Sequence, residues 1–121
     1  MWTPIFIFAA VVAVFLIIKK AGQISAKDAA AHLKNGALVI DVRSAGEFGS
    51  GHLPNALNFP LDEIETAVPR RLKDKNQVLL LHCLSGTRSG FAKRRLRDMG
   101  YANVFNLGSY GRAQHLVKVA R

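Results

Sequence analysis

The stretch VLLLHCLSGTRS, residues 78–89, decides the fold of this chain. Its first four residues form a continuous apolar run, which is typical of a β-strand buried on both faces of a parallel sheet. The run ends at His82 and Cys83, and a small polar stretch follows before apolar residues recur at helical spacing from Ala92. The sequence therefore predicts a strand, a short loop that begins with Cys83, and a helix that Gly100 ends.

The same alternation of strands and helices continues on both sides of this unit. Ser25 is expected to cap the first helix of this region, and Pro69 to limit the second. The other predicted elements are strands at residues 37–40 and 104–107, helices at about residues 26–35 and 61–68, and a basic helix or tail at residues 112–121. This order predicts an α/β fold with a small parallel sheet flanked by helices.

The N-terminal segment has a different composition. Residues 1–18 carry no charged side chain, and as a helix they would reach roughly 27 Å at 1.5 Å per residue. This length nearly matches a hydrocarbon core of about 30 Å, and Trp2 is placed for an interfacial belt. We therefore expect residues 1–20 to form a transmembrane helix that anchors the chain in the membrane.

The charges that follow this segment predict its orientation. Lys19 and Lys20 come after the apolar run, whereas a cleaved signal peptide carries its positive charge before it. Because Lys and Arg concentrate on the cytoplasmic side of a membrane, residues 21–121 are expected in the cytoplasm, as the single domain of a single-pass inner-membrane protein. A chain with one cysteine suits that reducing compartment.

Charge and cysteine content exclude several classes of partner and site. Lys and Arg number 17 and Asp and Glu number 8, so the formal net charge is +9. Basic runs at residues 70–73 and 93–97 are not interleaved with aromatic residues, which favours solvated helix faces over nucleic-acid binding. One cysteine cannot form an intramolecular disulfide, and four scattered histidines lack metal-ligand spacing. We expect no nucleic-acid partner, no metal and no cofactor.

Cys83 is the candidate nucleophile. Ligands of open parallel sheets gather beyond the carboxyl ends of the strands, where a loop that leads into a helix presents backbone N–H groups. The positive end of that helix and the charge of Arg88 favour thiolate over thiol. A buried, inert cysteine is the alternative. His82 is expected to pack in the core or face the surface, because neighbours on a strand point to opposite faces.

Two motifs resemble those of the rhodanese-like sulfurtransferases. CLSGTRS, residues 83–89, is similar to the active-site loop of this family. DVRS, EF and GHLPNALNFP, within residues 41–60, are similar to its upstream signature, with Asn55 where a glycine is usual. The resemblance covers residues 24–107, and it implies a rhodanese-like domain over residues 21–121.

The resemblance implies an enzyme that moves sulfur through a persulfide on Cys83. The sulfur would come from thiosulfate or a persulfide donor and pass to a nucleophilic acceptor such as a thiol, cyanide or a protein. A charge network is expected to brace the loops at the strand ends, and its members are Asp41, Arg43 and Glu47. The loop residues expected to hold the substrate are Leu84, Ser85, Gly86, Thr87 and Arg88.

Three alternatives stay open at this point. Arg88 either stabilises the anionic donor or turns inward to hold the loop by bonding carbonyls or a carboxylate. The chain is either an enzyme or a membrane-tethered sulfur-relay or binding module that does not turn over small donors. In the related phosphatase fold, by family resemblance, five residues separate cysteine and arginine, whereas four do so here. The smaller loop, with Gly86 free to adopt unusual conformations, favours a persulfide over phosphate.

Overall fold

The computed structural model of the chain describes residues 3–120, without the side chains of residues 19–21. A 3₁₀ turn at Leu61–Glu63 precedes the fourth helix. The strands are β1 (Leu38–Asp41), β2 (Leu57–Asn58), β3 (Leu79–His82) and β4 (Val104–Gly108). The helices are α1 (Thr3–Ala21), α2 (Ala26–Lys34), α3 (Ala45–Ser50), α4 (Ile64–Arg71), α5 (Thr87–Asp98) and α6 (Tyr110–Ala120).

The four strands form one parallel sheet in the order β2-β1-β3-β4. Helices cover both faces of the sheet. The side chains of β3 alternate between the two faces, and all of them are therefore buried. Leu79 and Leu81 pack in the cluster that includes residues of α4 and α5. Leu80 packs in the opposite cluster with residues of α2 and α6. The predicted α/β class with a small parallel sheet is confirmed.

The segment between β1 and α4 contains more structure than the sequence predicted. The polar, glycine-rich stretch after Asp41 contains α3 and the two-residue strand β2. Helix α4 also runs past Pro69, which was expected to limit it. Proline cannot donate a backbone hydrogen bond, but Leu72 N beyond it still donates to Val68 O at 2.8 Å, so the helix continues for another half turn.

The expected membrane anchor is the main correction. Helix α1 exists, and its apolar side chains are exposed on all sides, but among residues 3–120 no helix is long and apolar enough to cross a membrane. The predictions of a membrane contact through residues 1–18 and of a single-pass inner-membrane location are therefore wrong. Trp2 lies outside the described residues, as do the side chains of Lys19 and Lys20.

The carboxyl ends of the strands meet at one edge of the sheet. Asp41 of β1 lies opposite His82 of β3. The pairing of β3 with β4 shifts between Leu81 and His82, so that His82 lies opposite Gly108. This shift brings the end of β4 against the loop that follows β3, and Cys83 is the first residue of that loop.

Candidate active site

Cys83 is buried at the junction between β3 and α5. Its own N–H donates to Gly108 O at 3.3 Å, and Tyr110 N donates to Leu84 O at 3.1 Å, so the first two loop residues are tied to the end of β4 and the start of α6. The sulfur accepts a hydrogen bond from Gly86 N at 3.0 Å, and the Ser89 hydroxyl lies 3.5 Å from it. The loop thus holds the thiol among hydrogen-bond donors.

These donors change the acidity of the thiol. Burial opposes ionisation and raises the pKa of Cys83, but hydrogen bonds from the Ser89 hydroxyl and from the backbone N–H groups of Ser89, Gly86 and Ser85 lower it by more. The net result is a pKa below the ordinary value for a cysteine. A buried cysteine in an apolar pocket would show the opposite direction. The site therefore favours the nucleophilic thiolate.

Gly86 makes the tight loop possible. Its φ of +94° lies in the left-handed region, where any other residue would be strained. A β-carbon there would also come within 3.2 Å of Gly108 Cα and 3.3 Å of Gln23 Nε2. Of the other loop residues expected to hold the substrate, Leu84, Ser85 and Thr87 are exposed and Arg88 is half-buried. Gly86 and Ser85 act on the sulfur through their backbone N–H groups.

Arg88 and Glu47 form a two-pronged ion pair across the site. The guanidinium donates to the two carboxylate oxygens at 2.6 Å and 3.0 Å. Glu47 also accepts from Ser44 N, in a capping box that begins α3. The pair therefore ties the start of α3 to the start of α5, although the two residues are 41 positions apart. Arg88 thus bonds a carboxylate, which is one of its two expected arrangements.

Asp41 and Arg43 form a second, more deeply buried pair. The Arg43 guanidinium donates to both Asp41 oxygens at distances from 2.7 Å to 3.0 Å, and it also donates to Gly51 O at 2.7 Å. It lies 4.6 Å from the ring centroid of Tyr110. In the described part of the chain no hydrogen bond joins this pair to Glu47. The three residues therefore belong to two separate pairs, Asp41 with Arg43 and Glu47 with Arg88, rather than to one direct network.

The histidines near the site have other contacts. His82 is fully buried, and its Nδ1 lies 3.2 Å from Cys83 O while its Nε2 lies 3.7 Å from Asp41 Oδ2. Burial lowers the pKa of His82, so it stays neutral at neutral pH and acts as a core residue. His52 Nδ1 lies 3.0 Å from Phe48 O, in its own segment of the chain.

Two residues that contact the sulfur or its donors have no role predicted from the sequence. Ser89 belongs to the loop motif, and its hydroxyl lies beside the thiol. Asn106 of β4 bonds both Ser89 and Gly86. The signal for Asn106 was its polar amide within the apolar run of a predicted strand, because a buried polar group needs fixed partners.

The ion pair of Glu47 predicts a pH-dependent contribution to stability. The hydrogen bond from Arg88 lowers the pKa of Glu47 from 4.5 to about 2. A carboxyl group with a lowered pKa in the folded state stabilises the fold above its ordinary pKa, and this contribution is lost as the pH falls from 4.5 towards 2. We expect the urea midpoint of Glu47→Gln to fall less steeply than that of the wild type as the pH is lowered through this range. The exposed Glu63→Gln variant is the control and should retain the wild-type slope.

Together these features define a class of protein. It is a small α/β domain whose lone cysteine lies in a tight loop between a parallel strand and a helix, with hydrogen-bond donors that favour the thiolate. Residues 25–111 match the rhodanese-like domain family. The chain belongs to that family.

Characterised relatives and solved structures agree with this assignment. The chain is 38% identical over 69 residues to the thiosulfate sulfurtransferase PspE of Escherichia coli, covering 57% of this chain and 66% of that protein. It is 36% identical over 70 residues to a sulfurtransferase of Allochromatium vinosum, covering 58% of this chain and 64% of that protein. The matches thus span less than two thirds of either relative.

The solved structures extend the agreement to the fold. The human single-domain sulfurtransferase TSTD1 superposes with a TM-score of 0.67 at 28% identity, over 78% of this chain and 96% of that one. A rhodanese with anions from E. coli superposes with a TM-score of 0.61 at 34% identity, over 64% of this chain and 91% of that one.

Proposed function

We propose that the protein is a sulfurtransferase in which Cys83 carries the sulfur as a persulfide. The observation that supports this most directly is the Cys83 sulfur itself, which accepts from Gly86 N at 3.0 Å and has a pKa below its ordinary value. A thiolate held in this way is a nucleophile that needs no separate general base. Thiosulfate is the proposed donor, because PspE is a thiosulfate sulfurtransferase.

The proposed reaction has two displacement steps. The Cys83 thiolate attacks the outer sulfur of thiosulfate, a new S–S bond forms, and the bond within thiosulfate breaks so that sulfite leaves with the electron pair. An acceptor thiolate or cyanide then attacks the outer sulfur of the Cys83 persulfide, and Cys83 leaves as the thiolate. No oxidant is required, and the enzyme returns to its starting state after each cycle.

The size of the loop supports sulfur rather than phosphate as the group transferred. Four residues lie between Cys83 and Arg88, and the buried Gly86 N–H points at the cysteine sulfur itself. A phosphate has three peripheral oxygens to bind, whereas the outer sulfur of a persulfide is a single anionic atom. The tight loop suits the single atom.

Mass spectrometry of the intact protein tests the proposal. After treatment with thiosulfate and removal of the excess, Cys83 should gain the mass of one sulfur atom, and a thiol or cyanide should then remove it. Absence of the added sulfur would contradict the function. Steady turnover of thiosulfate with cyanide distinguishes an enzyme from a sulfur-relay module, since the latter forms the persulfide but does not turn over small molecules.

The contacts of Arg88 predict its role in this reaction. Because its guanidinium is held by Glu47, we expect Arg88 to keep the loop in place rather than to select an anionic donor. Arg88→Ala should lower the rate roughly a few-fold, equally for thiosulfate and for a neutral dialkyl trisulfide, with a lower Tm. Arg94→Ala, on the same helix, is the control. A loss confined to thiosulfate would instead assign Arg88 to donor binding.

A further inference from the structure

Asn106 is a buried polar residue of β4, and its contacts converge on the cysteine loop. Only 5% of the residue is exposed. Its Nδ2 donates to Gly86 O at 3.1 Å. Its Oδ1 accepts from Gly108 N at 2.8 Å and from the Ser89 hydroxyl at 2.7 Å. Both the nitrogen and the oxygen of the amide are therefore hydrogen-bonded within the site.

The partners determine how the amide is oriented. Gly86 O can only accept a hydrogen bond, so it must face the amide nitrogen, and Gly108 N–H can only donate, so it must face the amide oxygen. Since Oδ1 can only accept, the Ser89 hydroxyl is the donor in this contact. At 2.7 Å it is the shortest of the three contacts of the hydroxyl, the others being with Gly86 O at 3.2 Å and the Cys83 sulfur at 3.5 Å. The position of the Ser89 oxygen is thus set by a side chain from another strand.

Two of the groups that Asn106 holds also contact the Cys83 sulfur. Gly86 N donates to the sulfur at 3.0 Å, and the Ser89 hydroxyl lies 3.5 Å from it. Asn106 itself has no hydrogen bond to the sulfur among the described residues. Any effect of Asn106 on Cys83 must therefore pass through the groups that it holds. Gly86 and Ser89 contact the sulfur, whereas Gly108 contacts only the Cys83 backbone, through its carbonyl, which accepts from Cys83 N at 3.3 Å.

We propose that Asn106 is a positioning residue for the sulfur chemistry of Cys83, acting through Gly86 and Ser89. This inference rests on the proposed function and extends it to a residue outside the cysteine loop. Asn106 holds the Gly86 carbonyl, and with it the left-handed turn that directs the Gly86 N–H at the sulfur. It also holds the Ser89 oxygen 2.7 Å from Asn106 Oδ1 and 3.5 Å from the Cys83 sulfur.

The arrangement allows the Ser89 hydroxyl to change its hydrogen-bond acceptor when the charge on Cys83 changes, without movement of the backbone. When Cys83 is a thiol, the Ser89 hydroxyl donates to Asn106 Oδ1. When Cys83 ionises, the same hydroxyl can rotate to donate to the thiolate 3.5 Å away. When a persulfide forms, the negative charge moves to the outer sulfur and the hydroxyl proton returns to Asn106. Asn106 thus supplies the resting acceptor for this proton.

The test measures alkylation of Cys83 by iodoacetamide as a function of pH in Asn106→Ala and Asn106→Ser. The serine variant keeps a hydroxyl that can accept from Gly108 N, so that the strand end retains a partner, but it is too short to hold Gly86 and Ser89. In both variants we expect roughly five- to tenfold slower alkylation at pH 7, because weaker donors around the sulfur disfavour the thiolate. The midpoint of the alkylation profile should move to higher pH.

A matched control separates positioning from general stability. Asn103 also uses its Nδ2 to bond a backbone oxygen, that of Asn76 at 2.8 Å, but away from Cys83. Asn103→Ala should leave the alkylation profile unchanged, even if its Tm falls. An unchanged profile in the Asn106 variants, or an equal shift in Asn103→Ala, would overturn the inference.

A second comparison identifies the route of the effect. In a Ser89→Ala background, Asn106→Ala should slow alkylation by a smaller factor than in the wild type, because one of its two routes to the sulfur has been removed. Equal factors in the two backgrounds would exclude Ser89 as a route. Alkylation needs no sulfur transfer, so failure of the wild type to form a persulfide would contradict the proposed function and leave this result intact.

Discussion

Cys83→Ser is expected to abolish sulfur transfer, with a loss of at least about a thousandfold, while the protein remains folded. A serine hydroxyl at this position is nearly isosteric and can still accept from Gly86 N, but it does not ionise near neutral pH and cannot form a persulfide. The chain contains no second cysteine to replace it. The measurements are thiosulfate turnover with cyanide and the mass of the thiosulfate-treated protein.

A relocated thiol provides the control for this variant. In Cys83→Ser combined with Ser50→Cys, the lone thiol moves to an exposed position at the end of α3. That thiol lacks the donors of the cysteine loop, so we expect no catalysed transfer. If the relocated thiol restored turnover, the reaction would depend on any accessible thiol, and the loop around Cys83 would have no catalytic role.

Asp41→Asn is expected to destabilise the protein by about 3–5 kcal/mol, the largest stability effect predicted here. The Arg43 guanidinium is 8% exposed, and Asp41 is its carboxylate partner, so the variant leaves a buried positive charge without a counterion. The amide that replaces the carboxylate also turns a donor towards the guanidinium. The free energy of unfolding, measured by urea denaturation, gives the size of the effect.

Two further variants test the reason for this loss. Asp62→Asn removes an exposed carboxylate and should change the stability by much less. Adding Arg43→Met to Asp41→Asn removes the unpaired positive charge and should restore part of the lost stability. A stability of Asp41→Asn equal to that of Asp62→Asn would show that the buried pair does not stabilise the fold.

The sequence predicted the central elements well, because their signals are local. The apolar run before His82 predicted a buried strand, and β3 is that strand. Ser25 caps α2 by accepting from Asp28 N, as its position indicated. The elements that were missed, α3 and β2, are six and two residues long, too short for a periodic pattern to develop.

The N-terminal prediction was wrong for a different reason. Hydropathy and the charges after the run indicate a membrane span, but among residues 3–120 no helix is both long and apolar enough to be one. The prediction that α1 is apolar was correct, since its large described side chains are exposed hydrophobics. Composition alone thus identified the helix but not its relation to a membrane.

The sequence by itself determined the strand, the cysteine loop and the helix after it, because these are adjacent in the chain and depend on an apolar run and a glycine. Only the tertiary structure decided what surrounds the sulfur. Arg88 pairs with Glu47 across 41 positions, and Asn106 reaches Gly86 across 20. Such pairings depend on strand order and on the shift in register at the end of β3, which arise from packing of the whole sheet rather than from any local sequence pattern.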